Sequence, residues 1–470
     1  MKQKSLWAML LFLGFSVGIK AQGYEIKIIF HHLQDTSVYL GYHFGDKKFV
    51  KDTLHLDRYG MGVFRGDETL PGGVYLLVMP NMRYLEFLVD DNQHFTIETD
   101  TTDFLKTLHF KGSQTNTDFL AYQSKLVELN RKLQELNRKE RTLKSQPDSL
   151  KAVRNRIEEI NQKTRALNEQ VIASHPGSFL AHLVSAMTPP IVPDFEIPEN
   201  SANPDSVRWV MNYQYLRNHY FDDVDFSDDR LLRSPILYNR LTQYFNNILL
   251  QTPDSLIPEV DRIIEASRAN KDVYQYVVIT LLNHFQRATV MGLDEVYVHI
   301  AVKYYLTGQT PWSDSTFLAE LKQRVEKIKP NLIGHKAHDL KMETITGEWV
   351  DLYEVNAKYI ILYFWEPNCG HCKKVTPILY KDIYLKYRDK GLEVFTVYIY
   401  DNHKEWEDYL NEHGYDWINA WDPKQLTYFR YYYDVYSTPT IYVLDRDKKI
   451  IAKRLDIKTL EKFLARLFGE

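Results

Sequence analysis

The chain contains only two cysteines, Cys369 and Cys372, and they lie three positions apart. They follow the apolar run Tyr359–Phe364, so the pattern predicts a β-strand that leads into a Cys-x-x-Cys at the start of a helix. The positive end of a helix dipole helps to hold one of the two sulfurs as a thiolate. Because the chain has no other thiol, each cysteine can form an internal disulfide only with the other. The spacing therefore predicts a reversible redox pair.

The N-terminus has the pattern of a secretory signal peptide. Lys2 and Lys4 form a short basic region, residues 6–19 are apolar, and Ala21 is a small residue at a suitable cleavage position. The apolar stretch is shorter than the length that a transmembrane helix ordinarily needs. We therefore expect residues 1–21 to be removed on export, which places the mature protein in the periplasm or cell envelope. An uncleaved anchor is the alternative, and it would also leave the rest of the chain outside the cytoplasm.

The composition narrows the class of protein. Of the 470 residues, 44% are hydrophobic and 26% are charged, an ordinary balance for a globular protein, and the length suggests two to four domains. The net charge of −4 gives no indication of binding to nucleic acid or to a membrane surface. We therefore expect no nucleic-acid partner.

Residues 23–115 are predicted to form a β-rich domain. Short runs with loose alternation are separated by turn signals, a pattern that is typical of an antiparallel sandwich or meander. The histidines of this region lack the spacing of metal ligands, so we expect no metal site. We interpret the domain as a module of unknown role in folding or partner docking. The predicted strands are Tyr24–Phe30, Ser37–Leu40, Gly73–Val78 and Phe95–Glu98.

Residues 117–330 are predicted to be helical. Two heptad runs meet at Gln146-Pro147, where proline ends the first helix, and they predict an antiparallel hairpin with a narrow apolar seam. Since one pair of helices barely buries such a seam, we expect it to pack on another helix layer or on a second copy of the chain in a homodimer. The seam residues are Leu126, Leu129, Leu133, Leu136, Leu143, Leu150, Val153, Ile157, Ile160, Thr164, Leu167 and Val171. The further predicted helices are Ile236–Leu250, Leu256–Arg268, Val273–Thr289, Leu293–Leu306 and Ser315–Ile328.

Residues 333–470 carry the redox pair and predict an α/β domain. Pro377 lies five residues after Cys372, and Thr438-Pro439 immediately precedes a predicted strand. The domain resembles the thioredoxin superfamily over its whole length, which implies a kinked active-site helix and a cis-proline beside the disulfide. The predicted elements, in order, are Tyr359–Trp365, Cys372–Lys390, Glu393–Tyr400, Lys404–His413, a connection with Trp417 and Trp421, Leu426–Tyr431, Thr440–Leu444, Lys449–Leu455 and Lys458–Phe468.

The residues that precede the central strand of this domain indicate one branch of the thioredoxin superfamily. Residues 334–340 and 346–352 resemble the additional N-terminal strands of TlpA-like proteins, exported thiol–disulfide oxidoreductases that are related to peroxiredoxins. The resemblance implies activity without a cofactor, protein disulfides as substrates and an unidentified reductant in the envelope. The whole chain is expected to be multidomain, with an N-terminal antiparallel β domain, a central all-α region and a C-terminal α/β thioredoxin fold.

The motif suggests a role for each of its residues. Cys369 is expected to attack a substrate disulfide as a thiolate, and Cys372 is expected to resolve the mixed disulfide. His371, as a cation between them, would favour the thiolate and raise the redox potential. Cys-Gly-His-Cys is also the motif of protein disulfide isomerase, whose potential is about −180 mV against about −270 mV for thioredoxin. The pair is therefore expected to be less reducing than thioredoxin.

The chain departs from thioredoxins at two positions near the motif. Thioredoxins bury an acid in the strand before the motif, where this chain has Tyr363, which cannot relay a proton at neutral pH. Glu366 is the nearest acid, and it is either a substitute in proton transfer to Cys372 or a solvated side chain. Asn368 stands in place of the usual tryptophan before the first cysteine. The residues expected to bind substrate are Trp365, Thr438 and Pro439.

Three other functions are less consistent with the sequence. A zinc site would need two more ligands, and no histidine pair has suitable spacing. A peroxiredoxin-like peroxide reductase would have threonine three positions before its peroxidatic cysteine, where this chain has Glu366. A non-enzymatic binding protein could use the thioredoxin unit as a scaffold, but the intact cysteine pair argues against it. Among substrates, the sequence leaves open cytochrome c haem-site cysteines, misoxidised envelope proteins and a dedicated partner.

Overall fold

The structure is a computed structural model, and it describes residues 23–100, 102, 104–143 and 146–470. The predicted signal peptide lies outside these residues. Within the described ranges, no helix is both long enough and apolar enough to cross a membrane. The chain divides into two compact units, Met1–Tyr244 and Phe245–Glu470, so the predicted helical region contributes to both. The domain boundaries drawn from the sequence stay predictions.

The first unit begins with two four-stranded sheets. Their order is β4-β1-β7-β8 and β3-β2-β5-β6, and their apolar faces share one core. In β1 every second side chain points into that core, as alternation predicts for a strand with one buried face. Most pairs are antiparallel, whereas β1 and β7 are parallel. The strands are β1 (Tyr24–His31), β2 (Ser37–Phe44), β3 (Lys47–His55), β4 (Met61–Gly66), β5 (Gly73–Val78), β6 (Tyr84–Val89), β7 (His94–Asp100) and β8 (His109–Lys111).

Helices follow the two sheets, and the first long pair forms the predicted hairpin. Ser113 caps its first helix by accepting from the backbone N–H of Asn116, and Pro147 opens its second helix, where the missing N–H costs nothing. The seam residues of both helices are buried or half-buried between exposed polar positions. The helical segments are Phe104–Thr107, Gln114–Thr142, Pro147–Ser174, Phe179–Met187, Pro204–His219, Asp229–Arg233 and Ile236–Gln243.

The second unit starts with a helical segment. Asn270 caps one of its helices by accepting from the backbone N–H groups of Asp272 and Val273. Two predicted helices, 236–250 and 293–306, change to wider π-helical turns before their ends. The segments are Tyr244–Ile248 (π, at the unit boundary), Pro253–Ser267, Lys271–Gln286, Asp294–Ile300, Ala301–Tyr305 (π), Ser315–Ile328 and Lys329–Asn331.

A seven-stranded sheet completes the second unit. Its order is β10-β9-β13-β12-β11-β14-β15, and the central β11 pairs parallel with β12 and antiparallel with β14. Apolar layers cover both faces of the sheet, which explains why β11 is a continuous apolar run. The strands are β9 (Lys341–Thr344), β10 (Trp349–Asp351), β11 (Tyr359–Trp365), β12 (Leu392–Tyr398), β13 (Ile418–Trp421), β14 (Thr440–Asp445) and β15 (Ile450–Lys453).

The predicted fold class is confirmed, with two local corrections in this sheet and its helices. The connection with Trp417 and Trp421 contains a strand, β13. The predicted helix Cys372–Lys390 is interrupted after Ile378, because the Pro377 ring lacks the N–H of a regular turn and the following turns widen. The helical segments here are Leu352–Glu354, Cys372–Ile378, Leu379–Tyr384 (π), Leu385–Tyr387, Arg388–Lys390, His403–His413, Phe429–Tyr432 and Ile457–Leu467.

Candidate active site

The redox pair lies at the carboxyl end of the central strand. β11 ends at Trp365, and a short loop containing Cys369 leads to the active-site helix, which begins at Cys372. Cys369 is half-buried, Cys372 is buried, and both are free thiols. The backbone N–H of Cys372 donates to the Sγ atom of Cys369 at 3.3 Å. The outer sulfur therefore receives a donor from the first turn of the helix.

Cys369 has the environment of a stabilised thiolate. Burial raises its pKa, but hydrogen bonds from the side chains of Cys372 and Thr438 and from the backbone N–H groups of Cys372 and His371 outweigh burial. The pKa of Cys369 is therefore below its ordinary value. Its Sγ atom also lies 3.4 Å from the carbonyl oxygen of Thr438, to which the thiol form donates.

Cys372 has the opposite environment. Burial, and to a smaller extent the nearby Cys369, raise the pKa of Cys372 to about 12, although a backbone hydrogen bond from Glu366 opposes the shift. A thiolate at Cys372 would have to form in an apolar layer, where charge is unfavourable. The two sulfurs therefore differ in both access and acidity.

We expect iodoacetamide to alkylate Cys369 at a lower pH than Cys372. The thiolate is the reactive form, and the pKa of Cys369 is lowered while that of Cys372 is raised. Alkylation rates over a pH series, measured by mass spectrometry of the two cysteine peptides, would test the order. Cys372→Ala isolates the first titration as a control. Faster labelling of Cys372 at any pH below its own titration would contradict the assignment.

The loop before β14 approaches both sulfurs. The Thr438–Pro439 peptide bond is cis, as the thioredoxin resemblance implies. The Thr438 hydroxyl lies 3.0 Å from Oε1 of Glu366, and Glu366 is half-buried rather than fully solvated. The Thr438 hydroxyl also lowers the pKa of each cysteine through a hydrogen bond. The Glu366 carboxylate, the Thr438 hydroxyl and the two sulfurs therefore lie next to one another.

Tyr363 occupies the place of the buried acid of thioredoxins. Its hydroxyl lies 2.8 Å from Oγ1 of Thr376, and both residues are buried. Burial, and then the charge of Cys372, raise the pKa of Tyr363 well above its ordinary value. The side chain therefore stays protonated and neutral, in agreement with the prediction that it cannot act as a base at neutral pH.

The prediction that Trp365 contacts the substrate is wrong. Its side chain has no exposed surface, and its ring packs 5.2 Å from Tyr409 and 6.3 Å from Tyr363. The physical reason is that both faces of β11 are covered, so its last residue also points into a core. Trp365 therefore packs in the core beneath the motif, and its side chain is not accessible to a substrate.

Two grooves are lined by residues next to Cys369. The first has a volume of about 490 Å³ and contains three predicted site residues, His371, Thr438 and Pro439. The second has a volume of about 690 Å³ and begins at Asn368, whose amide donates to Oε1 of Glu405 at 2.5 Å. Asn368 thus contacts a neighbouring helix in place of the exposed tryptophan of thioredoxins.

Some residues near the site carry no local signal in the sequence. Asp434 and Arg454 line the first groove, and Glu405 lines the second. They come from distant parts of the chain and join the site only through the fold. Among the described residues, no group of three or more His, Cys, Asp or Glu side chains could hold a metal ion.

Comparisons with known proteins agree with this geometry. Residues 333–453 match the AhpC/TSA family, residues 152–331 match a domain of unknown function called DUF5106, and residues 24–119 match another called DUF4369. The thiol-disulfide oxidoreductase ResA of Bacillus thuringiensis is 25% identical over 130 residues, which cover 28% of this chain and 73% of that protein.

Two solved structures are also similar. A domain of a possible thiol-disulfide isomerase from Cytophaga hutchinsonii is 43% identical and covers 29% of this chain and 94% of its own, with a TM-score of 0.28. A thioredoxin-like protein from Bacteroides caccae is 23% identical and covers 59% of this chain and 99% of its own, with a TM-score of 0.46.

The AhpC/TSA family match extends over the same residues as the dithiol, the cis-proline and the seven-stranded sheet. The protein is therefore a thioredoxin-like thiol–disulfide oxidoreductase that is similar to the ResA proteins, and its residues 333–453 match the AhpC/TSA family.

Proposed function

We propose that this protein is exported and reduces or exchanges disulfides in cell-envelope proteins through Cys369-Gly-His-Cys372. The observation that carries the proposal is the difference between the two sulfurs. Cys369 has a lowered pKa and is partly exposed, next to residues that line two grooves, whereas Cys372 is buried with a pKa of about 12. Such a pair suits a nucleophile that meets large substrates and a partner that acts only after the first bond has formed.

The reaction follows from this arrangement. The Cys369 thiolate attacks one sulfur of a substrate disulfide, the substrate S–S bond breaks, and one substrate thiolate leaves. Cys372 then loses its proton and attacks the Cys369 sulfur, which releases the second substrate thiolate. The enzyme ends as the Cys369–Cys372 disulfide, and two electrons have passed to the substrate. A dithiol reductant of the envelope returns them, and the opposite direction oxidises a substrate dithiol.

The remaining residues have supporting roles in this proposal. Glu366 accepts the proton of Cys372, with the Thr438 hydroxyl as the bridge between them. Thr438 and Pro439 present the wall of the first groove to an extended substrate, and His371 lies in the same groove. A homodimer through the helical hairpin remains a separate proposal, which light scattering would test.

Insulin reduction is the direct test of the activity. The protein is expected to accelerate insulin precipitation by dithiothreitol, and alkylation of Cys369 is expected to abolish the acceleration. The same alkylated protein serves as the control for a non-enzymatic binding protein, because alkylation leaves the rest of the fold unchanged. Peroxide consumption that exceeds insulin reduction would instead favour a peroxiredoxin-like enzyme.

Glu366→Gln is expected to slow resolution of the mixed disulfide by about a hundredfold or more, since a positioned general base contributes about 10²- to 10⁴-fold. Attack by Cys369 is expected to change little. Rapid acid quenching followed by alkylation separates the two steps. The loss is expected to shrink as the pH rises, because hydroxide then competes as the base.

Glu405→Gln is the matched control for this variant. Glu405 is also a carboxylate beside the motif, but its partners are Asn368 and Asn402 rather than Thr438. An unchanged resolution rate in Glu366→Gln would show that Glu366 only holds Thr438 in place. Equal losses in both variants would indicate a general effect of charge near the motif.

A further inference from the structure

We propose that Arg324, on the helix Ser315–Ile328, is a positioning residue for the active site and acts through Asp434 on the loop that carries Thr438 and Pro439. The inference rests on the proposed function and extends it, because it makes the helical segment of the second unit a working part of the redox site.

The helix and the loop are joined by an ion pair in which the carboxylate is buried and the arginine is partly exposed. Nη1 of Arg324 lies 2.8 and 2.9 Å from the two carboxylate oxygens of Asp434, whose side chain is 3% exposed. Nη2 of Arg454 lies 2.6 Å from the same carboxylate. A buried carboxylate is unfavourable unless its charge is compensated and its oxygens are hydrogen-bonded. Asp434 therefore depends on both arginines for its position.

The backbone at Asp434 also needs this support. Its φ angle is 51°, a left-handed conformation that is uncommon for a residue other than glycine. Residues held in this region persist where their surroundings determine them. The Asp434 carbonyl accepts from Arg454, and the carboxylate accepts from both arginines. The side chain thus fixes the turn at which the chain enters the loop.

A second contact of Arg324 reaches further along the loop. Its Nη1 atom lies 2.8 Å from the hydroxyl of Tyr436, and its guanidinium lies over the Tyr436 ring at 5.2 Å. Tyr436 is otherwise 64% exposed. One arginine from the helix therefore holds the loop at two positions that precede Thr438 by four and two residues.

The end of this loop touches the reacting sulfur. The Thr438 carbonyl oxygen lies 3.4 Å from Sγ of Cys369, and the Thr438 hydroxyl lies 3.0 Å from Glu366. The groove of about 490 Å³ has Asp434, Tyr436 and Thr438 in one wall. A loop released at Asp434 would therefore alter the environment of Cys369 and the shape of the groove together.

The helical segment has other attachments that do not use Arg324. The Lys453 ammonium pairs with Asp294 and also donates to the carbonyl oxygen of Asn331. The Asn331 side chain donates to the carbonyl oxygen of Tyr432. Loss of the Arg324 contact alone therefore leaves the segment bound to the thioredoxin-like part, which makes a local effect measurable.

The test compares three variants of the full chain. Arg324→Gln removes the charge, Arg324→Lys keeps the charge but lacks the planar guanidinium that lies over the Tyr436 ring, and Lys322→Ala is an exposed change on the same helix. Arg324→Gln is expected to lower kcat/KM for insulin by about tenfold, since small misplacements of reacting groups have effects of that order or more. It is also expected to raise the pKa of Cys369, measured by alkylation over a pH series. Arg324→Lys should recover part of both, and Lys322→Ala should resemble the wild type.

An unchanged Cys369 pKa and unchanged kcat/KM in Arg324→Gln would overturn the inference. If that variant does not fold, Tyr436→Phe decides, because it removes only the loop's hydroxyl contact with Arg324; a rise in the Cys369 pKa supports the inference and an unchanged value overturns it. A wild-type protein that fails to reduce insulin would refute the proposed function instead, while the alkylation measurement would still report on Arg324.

Discussion

Cys369→Ser is expected to lower disulfide reduction by more than about a hundredfold, because removal of a nucleophile eliminates the covalent step itself. Cys372→Ser is expected to lose turnover to a similar degree, but at a different step. Its Cys369 still attacks a substrate disulfide, and without a resolving sulfur the mixed disulfide accumulates. The insulin assay measures the loss in both variants, and non-reducing electrophoresis detects the trapped species only in Cys372→Ser.

The chain provides its own control for this trap. Since Cys369 and Cys372 are the only cysteines, the double serine variant has no thiol and cannot form any covalent complex. Proteins that Cys372→Ser captures in native envelopes, and that the double variant does not, are substrates. Accumulation of mixed disulfides on Cys369→Ser instead would reverse the assigned roles. Failure of both single variants to trap insulin, with an active wild type, would refute the two-step reaction.

The parts of the site that are local in sequence could be predicted, and the parts that depend on the fold could not. The spacing of Cys369 and Cys372 indicates the helix start, and the Thr438-Pro439 pair indicates the cis peptide through the family resemblance. Arg324 and Asp434, in contrast, are 110 positions apart, and neither lies in a local pattern. Only the packing of the helix against the loop brings them together.

Trp365 shows how a local interpretation can fail. The uninterrupted apolar run of β11 is the signal of a strand buried on both faces. That signal already excludes an exposed side chain at the end of the strand, but the position of Trp365 beside the motif favoured a substrate contact. The structure resolves the conflict in favour of burial, with no exposed surface on the ring.

The strand β13 was missed for a related reason. It is only four residues long, and its buried Asn419 is a residue that disfavours strands. The Asn419 side chain is satisfied by tertiary partners: its carbonyl oxygen accepts from Trp417 and Thr396, and its amide donates to backbone carbonyl groups. Such compensation decides the local structure but leaves no periodic pattern in the sequence.

Two substitutions of His371 separate the effect of its imidazole on the redox potential from the effect of its backbone N–H. His371→Pro is expected to lower the potential by about tens of millivolts, on the scale of the gap between protein disulfide isomerase and thioredoxin, and His371→Ala is expected to lower it less, because both remove the imidazole and only proline also removes the backbone N–H. Proline removes the backbone N–H that lowers the pKa of Cys369, and alanine keeps it.

The sign follows from the thiolate. Without the His371 N–H, the pKa of Cys369 rises, the reduced pair is less favoured relative to the disulfide, and the potential becomes more negative. The φ angle of −79° at His371 already suits proline, so the helix start is expected to persist. Titration against glutathione buffers, read by Trp365 fluorescence, measures both variants. An equal fall in both would assign the poise to the imidazole, and no change in either would assign it to the Glu366–Thr438 side of the site.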